Sequence, residues 1–118
     1  SIGQMAFYKC ENLTDIKIPS KVKSIGAQTF SGSGLRSVQF SSGITSISKG
    51  AFFDCKGLAK VTIPESVKSI GRGAFSRCGN LESVTFLGNQ TENTRNLYAI
   101  PGLDYVAHEG MLLNKVFS

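Results

Sequence analysis

The sequence predicts an α/β repeat solenoid, in which short parallel strands form one sheet and short helical turns lie between them. The first observation is a Phe that recurs at intervals of 23, 22 and 23 residues. Its four copies are Phe7, Phe30, Phe52 and Phe75. The second observation is that the apolar residues around each copy recur with it. Self-similarity at a fixed period of about 20 to 50 residues is typical of stacked repeats.

A short strand is predicted in each repeat unit, beginning at a Leu. Residues 13–18 alternate apolar and polar side chains at their end, as a strand with one buried face does. The counterparts are residues 35–40, 58–63 and 81–86. Pro19 and Pro64 directly follow two of these strands and end them, because proline has no amide to donate to a ladder.

The rest of each unit carries a second apolar pair and a short Ala-Phe segment. In the first unit the pair is Val22 and Ile25, and Gly26 follows it. The Ala-Phe segment, for example Ala51 and Phe52, favours a single helical turn. One unit cannot bury its own apolar residues. Stacked units bury them together and place the strands in a parallel sheet, about 4.8 Å apart.

The second unit is one residue shorter than the others. Four residues, 31–34, separate its Phe from its Leu, whereas five do so in the other units. The four are Ser and Gly, which tolerate a tighter turn. We therefore expect the strands to keep their register across this deletion.

The regular repeats are expected to occupy residues 1–88, and the period breaks in residues 89–118. The polar stretch 88–96 reads as a surface loop, and residues 105–114 as a hairpin. This final part is predicted to be a C-terminal cap or an interrupted repeat. Ile2 holds the position that would close a preceding unit, and no signal sequence opens the chain. We thus expect a fragment or a mature form whose N-terminal rung is uncapped, which favours a homo-oligomer.

Composition indicates one domain without a membrane span. The chain has 118 residues and a formal net charge of +5, and no apolar run is long enough to cross a bilayer. Its basic residues are dispersed through the turns, without stacking aromatic residues, so a nucleic-acid partner is not predicted. The charge is consistent with attraction to an acidic glycan or an acidic protein, and also with solubility alone.

Neither the cysteines nor the single histidine predicts chemistry. Cys10, Cys55 and Cys78 hold equivalent positions in three units, and their spacing matches no zinc pattern. A ladder of small buried thiols is favoured over a disulfide or a metal site. His108 lies outside the repeats, where a surface turn is the simpler interpretation than a catalytic base. The sequence predicts no enzyme, no cofactor and no metal.

The run from Ala51 to Gly71 resembles the leucine-rich repeat of the BspA-like type. The family pattern A-F-x-x-C-x-x-L-x-x-V-x-I-P-x-x-V-x-x-I-G matches this run at every fixed position. The second unit departs from it at Thr29, Ser33 and Ser41. The resemblance implies a curved solenoid whose strands line the concave face. It further implies a surface-exposed or secreted protein associated with adhesion to host matrix proteins or cells.

The polar residues that alternate with the strand hydrophobics are the candidate binding residues. Side chains alternate across a strand, so these residues point away from the core. They carry no aromatic anchor of the kind that dominates binding hot spots. On the concave face they form two rows: Asp15, Ser37, Lys60 and Ser83, and Lys17, Gln39, Thr62 and Thr85.

Two functions remain open from the sequence. The first is an adhesin-like module that binds a host matrix protein or cell-surface ligand through its concave face, as the resemblance implies. The second is a structural or self-assembly element of the cell envelope, without a host ligand. The resemblance places the protein outside the cell or on its surface, with the periplasm as the alternative.

Overall fold

A computed structural model describes residues 2–87, together with the backbone of two strands at 105–108 and 111–113. The loop predicted for residues 88–96 lies outside the described residues, and the cap or interrupted repeat does so in most of its length. The strands of the described residues are β1 (Asp15–Ile18), β2 (Ser24–Ile25), β3 (Ser37–Phe40), β4 (Ser46–Ile47), β5 (Lys60–Ile63), β6 (Ser69–Ile70), β7 (Ser83–Phe86), β8 (Tyr105–His108) and β9 (Met111–Leu113).

The longer strands form the concave sheet, with equivalent residues of neighbouring units side by side. β1 pairs in parallel with β3, and β5 pairs in parallel with β7. Across the shortened second unit, Asp15 lies opposite Ser37, so the strand register survives the deletion as expected. β8 continues the sheet in parallel beside β7, and β9 pairs with β8 in the antiparallel direction.

The concave sheet is divided between β3 and β5. β1 and β3 form a two-stranded sheet, while β5, β7, β8 and β9 form a separate four-stranded one. The sequence did not predict this break, since both strands carry the same alternation of apolar and polar residues.

A second, narrower sheet runs along the opposite side of the strand-turn units without a break. β2, β4 and β6 pair in parallel, with Ile25 opposite Ile47 and Ile47 opposite Ile70. An isolated parallel bridge adds Ile2 beside Ile25. Together the two sets of parallel strands confirm the predicted repeat solenoid.

The segment between the two sheets differs in one detail from the prediction, because the described residues contain no helix. The backbone forms consecutive turns whose amides alternate between two kinds of acceptor. In the second unit Ser31 donates to the carbonyl of Gln28 (3.2 Å), while Phe30 donates to Ala51 of the next rung (2.8 Å). The alternation of acceptors holds each turn segment to the next rung, which the i to i−4 bonds of a helix would not do.

A column of phenylalanine rings fills the core. Phe7, Phe30, Phe52 and Phe75 stack in order, with ring centroids 5.3, 5.2 and 5.1 Å apart and planes within 14° of parallel. The last three are fully buried, and Phe7 at the end of the column is partly exposed. The repeated Phe is therefore a core residue that stacks on its equivalents in neighbouring rungs.

The cysteine ladder is formed by two of the three cysteines. Cys55 and Cys78 are buried, and their thiols donate to the carbonyls of Phe30 (3.1 Å) and Phe52 (3.0 Å) in the preceding rungs. Cys10 is exposed, so the prediction of three buried thiols was wrong for this residue. Each buried thiol donates to a carbonyl of the preceding rung, and no such rung is among the described residues beside Cys10. All three cysteines are free thiols.

Candidate binding surface

The two predicted rows of polar residues lie on the concave face, but the break between β3 and β5 divides them. Within each half of the sheet, equivalent residues are brought side by side, for example Lys17 with Gln39 and Thr62 with Thr85. The predicted residues on β1, β3 and β5 are exposed, whereas Ser83 and Thr85 on β7 are half-buried. The strand pairing therefore groups the residues of β1 and β3 in a first patch and those of β5 and β7 in a second, and it is interrupted between the two.

The first patch is ordered by a short polar network. The hydroxyl of Ser37 donates to one carboxylate oxygen of Asp15 at 2.6 Å, and the hydroxyl of Thr14 donates to the other at 3.2 Å. The carboxylate of Asp15 is thereby already engaged by neighbours on its own face. This arrangement fixes the orientation of Asp15 and leaves Lys17 as the free charge of the patch.

A groove opens where the sheet is divided, and we call it the concave groove. Its volume is about 480 Å³, within the roughly 300 to 1,000 Å³ that is usual for ligand pockets. It is lined by Gln39, Phe40, Lys60, Thr62, Pro64 and Leu87, with Val38 and Ser42 at its margins. Three of the predicted site residues, Gln39, Lys60 and Thr62, therefore meet at one concave site.

The apolar residues of the concave groove were missed by reasoning from the sequence. Phe40 occupies the position of a fully buried Ile18 or Ile63 in neighbouring units, but it is only partly buried. Its ring packs edge-on against Phe52, with centroids 5.9 Å apart and planes at 88°. Phe86 holds the same position and is fully buried, so the sequence gives no signal that Phe40 differs.

Leu87 completes the apolar side of the concave groove. It is 44% exposed, and its amide donates to the carbonyl of Ile63 at 2.9 Å, which holds it beside β5. The residue follows β7 directly, at the position that Pro19 and Pro64 hold in other units. Its exposure gives the groove an apolar contact that the polar rows lack.

The described residues show no arrangement for metal binding and no membrane-spanning helix. Within residues 2–87, no group of three or more His, Cys, Asp or Glu side chains is close enough to hold a metal ion. Over the same part of the chain, no helix is long and apolar enough to cross a bilayer. The chemistry that the surface offers is hydrogen bonding, apolar contact and positive charge.

Known proteins share both the sequence pattern and the fold. The family model described as "BspA type Leucine rich repeat region (6 copies)" matches residues 1–104. The chain resembles a leucine rich cell surface protein from Faecalibacterium prausnitzii A2-165, with a TM-score of 0.71 and 30% identity. That alignment covers 97% of this chain and 26% of the other. A leucine-rich repeat protein from Bacteroides capillosus has a TM-score of 0.61 and 28% identity, over 92% of this chain and 62% of the other.

A short match to two curated mammalian proteins was also found. The human and mouse proteins named Polymerase delta-interacting protein 2 are 64% identical to this chain over 31 residues. The match covers 26% of this chain and spans 8% of the length of those proteins.

The match to the family model extends over most of the chain, and the fold agrees with it. Such a fold implies a protein-interaction or structural repeat module, and leucine-rich repeat families are generally non-enzymatic scaffolds. The chain belongs to the BspA-type leucine-rich repeat family.

Proposed function

We propose that the protein binds a partner protein through its concave face, and that the concave groove is the centre of the interface. The observation that carries this proposal is the meeting of exposed polar residues with apolar ones at the break in the sheet. Gln39, Lys60 and Thr62 line the groove together with Phe40 and Leu87.

This combination matches the anatomy of protein interfaces. Binding energy is concentrated in a few well-packed residues near the centre, with a polar rim that excludes water around them. Phe40 offers an aromatic floor, and Leu87 an exposed apolar edge. Lys60 adds a charge at the rim that orients an acidic residue of the partner.

The partner class that we propose is a host matrix protein or a cell-surface protein, which makes the chain an adhesin-like module. One similar structure is that of a cell surface protein, which supports an extracellular or cell-surface location, with the periplasm as the alternative. We propose no catalytic role, since leucine-rich repeat families are generally non-enzymatic scaffolds.

A binding panel of matrix proteins with charge-reversal variants tests the concave groove. Lys60→Glu is expected to weaken binding to the recognised protein about tenfold, since it replaces an attractive rim charge by a repulsive one. Lys17→Glu is the matched control, because it makes the same charge change on the same face, outside the groove. Surface plasmon resonance measures both.

The outcome of this panel decides the proposal. Equal losses for Lys60→Glu and Lys17→Glu would show that charge alone matters, and the groove would lose its special role. Binding that survives both Lys60→Glu and Leu87→Ser would place the interface elsewhere. Failure of the chain to bind any matrix or cell-surface protein would favour a structural role.

A second candidate function is self-assembly through the first rung. Among the described residues, β1 pairs on one side only, with β3. In the turns of the same rung, Met5 and Tyr8 are 42% and 39% exposed, and Phe7 at the end of the ring column is partly exposed. An open strand edge next to apolar side chains favours pairing with another copy of the chain.

Sedimentation analysis over a range of concentrations tests self-assembly. We expect a dimer that dissociates on dilution, and we expect Met5→Lys combined with Tyr8→Lys to shift it to monomer. The matched control is Lys60→Glu, which leaves the first rung unchanged. A wild-type chain that is monomeric at every concentration would contradict this function.

An acidic glycan is the remaining candidate ligand. The formal net charge of +5 favours attraction to polyanions in general. Binding that weakens steeply as salt is raised would support this interaction, and binding that is insensitive to salt would exclude it.

A further inference from the structure

A second groove lies on the turn side of the solenoid, away from the concave groove, and we call it the basic groove. Its volume is about 470 Å³, and three cations line it: Lys49, Arg72 and Arg77. Gln28 and Phe53 also line it. No Asp or Glu is among the residues that line it.

The stacking of the units brings the first two cations together. Lys49 and Arg72 each lie two residues after the Ile that pairs in register between β4 and β6. Their backbones therefore stand on adjacent rungs, about 4.8 Å apart. The equivalent residue of the second unit is Ala27, so the pair of charges is confined to these two rungs.

The third cation is positioned by an unusual backbone conformation and by an aromatic ring. Arg77 has a φ of 63°, which is uncommon for a residue other than glycine. Its guanidinium lies 5.9 Å from the centre of the Phe53 ring, within reach of a cation–π contact. Phe53 thus supports the guanidinium at the wall of the groove.

The charges of the basic groove have no acidic partner among the described residues. A salt bridge in this part of the chain joins Lys56 to Asp54, at 3.8 Å, and neither residue lines the groove. Three cations close together repel one another, and a bound anion relieves that repulsion. Arg side chains also present a planar set of donors that matches carboxylate, sulfate and phosphate groups.

Part of the backbone of the basic groove is paired between neighbouring rungs. The amide of Gln28 donates to the carbonyl of Lys49 (3.0 Å), and that of Gly50 donates to Arg72 (3.1 Å). A peptide that adds as a strand needs free backbone donors and acceptors, and these two amides and two carbonyls already pair with each other. The groove therefore offers side-chain donors for charged groups that project from a ligand.

We propose that the basic groove binds a linear acidic polysaccharide, whose sulfate or carboxylate groups contact Lys49, Arg72 and Arg77. The proposal deepens the acidic-glycan interaction by assigning it a site, and it is independent of the concave groove. The repeat along the glycan supplies successive anions, and the adjacent rungs supply successive cations.

Two substitutions test the site, and each introduces a residue that another unit carries at the same position. The second unit carries Ala27 at the position of Arg72 and Gly32 at the position of Arg77. The double variant Arg72→Ala/Arg77→Gly thus removes two charges without introducing a residue that the turn cannot hold. The control double variant is Lys21→Ala/Lys68→Ala, which removes the same charge at exposed positions outside the groove.

Heparin serves as the sulfated probe and polygalacturonate as the carboxylate probe, in titration calorimetry at low salt. The groove variant is expected to lose about tenfold or more in affinity for at least one probe, and the control less than about threefold. The probe that shows the larger loss identifies whether sulfate or carboxylate is preferred. Lys60→Glu, in the concave groove, is expected to behave as the control does.

Three results would overturn the proposal. Equal losses in the groove variant and the control would show attraction to net charge without a site. Undiminished binding in the groove variant would place the glycan elsewhere. Poly-glutamate that binds more tightly than either polysaccharide, and that loses affinity in the same variant, would reassign the groove to an acidic protein. None of these results depends on whether the concave groove binds its partner.

Discussion

At the scale of single residues, the turns depend on positive φ at two fixed positions in each unit. These positions lie third in a four-residue turn, where the chain must adopt a left-handed conformation. They are occupied by Met5 and Lys9, Gln28 and Gly32, Gly50 and Asp54, and Gly73 and Arg77, with φ between 55° and 70°. Glycine holds only three of these positions, so several units carry local strain.

Exchanging glycine and non-glycine residues between equivalent positions measures that strain. Gly50→Ala is expected to lower the free energy of unfolding by about 1 kcal/mol or more, because its φ is 63° and a Cβ there would lie 3.3 Å from Gln28 Cγ. Gln28→Gly is expected to change stability by less than about 1 kcal/mol, since relief of strain offsets the greater freedom of glycine in the unfolded chain. Denaturant unfolding of both variants checks this, and equal destabilisation would contradict it.

The three thiols differ in exposure, and we expect their reactivity to differ with it. The neighbouring Cys55 thiol, which is hydrogen-bonded to it, and burial raise the pKa of Cys78 well above its ordinary value. The thiolate is the reactive form of cysteine, so a raised pKa suppresses reaction near neutral pH. Cys10 is exposed and free.

Labelling with a thiol reagent distinguishes the exposed cysteine from the buried ones. At neutral pH the folded chain is expected to react at Cys10 within minutes, while Cys55 and Cys78 react only on unfolding. Mass spectrometry counts the labels, and Cys10→Ser is the control that should leave the folded chain unlabelled. Rapid labelling of Cys78 in the folded chain would contradict the buried ladder.

At the scale of elements, the break between β3 and β5 is what converts a flat strand face into a groove. Elsewhere a backbone hydrogen bond joins adjacent rungs just before the strand begins. The amide of Arg36, before β3, donates to the carbonyl of Thr14 (2.7 Å), and the amide of Glu82, before β7, donates to the carbonyl of Ala59 (2.9 Å). The amide of Ala59 holds the equivalent position before β5, and it donates to no backbone carbonyl among the described residues. The second sheet stays paired at the same level, with Lys68 donating to Thr45 at 2.7 Å.

Hydrogen exchange tests the break directly. The amide of Ala59 is expected to exchange faster than those of Glu82 and Lys68 by about tenfold or more, because opening a hydrogen bond is not required for it. NMR exchange rates of the folded chain compare the three amides. Equal protection of Ala59 and Glu82 would show that the concave sheet is continuous in solution, and would remove the basis of the concave groove.

At the scale of the whole molecule, the stacked units share one core whose parts are not equally protected. The ring column runs through all four units, and each unit contacts mainly its neighbours, as repeat arrays do. Phe52 touches rings on both sides and also the edge of Phe40. Phe7 has a stacked ring on one side only and is partly exposed.

Replacing Phe52 or Phe7 with Ala compares how much each ring contributes to the stability of the core. Phe52→Ala is expected to lower the free energy of unfolding by about 3 to 5 kcal/mol, the usual cost of removing a fully buried Phe. Phe7→Ala is expected to cost less than half of that, since less apolar surface is removed from the core. Denaturant unfolding followed by circular dichroism measures both. Equal costs would mean that the first rung is covered in solution, which would favour self-assembly.

The sequence by itself determined the repeat, the strand positions and the core. A period of 22 to 23 residues forces equivalent side chains into register, so Phe30, Phe52 and Phe75 had to stack once the units did. Alternation along each strand likewise determined that Lys60 and Thr62 face outward. Both inferences hold because they depend only on local periodicity.

Only the tertiary structure decided where those outward residues meet and what lies between them. The break beside Phe40 joins Gln39 to Lys60 in one groove, and the turn-side packing brings Arg72 and Arg77 to one wall of another. Such contacts depend on the fit between neighbouring rungs, which the pattern within one rung does not contain. The helical turn was predicted from local preference, but several amides of that segment donate to the neighbouring rung, and no helix forms among the described residues.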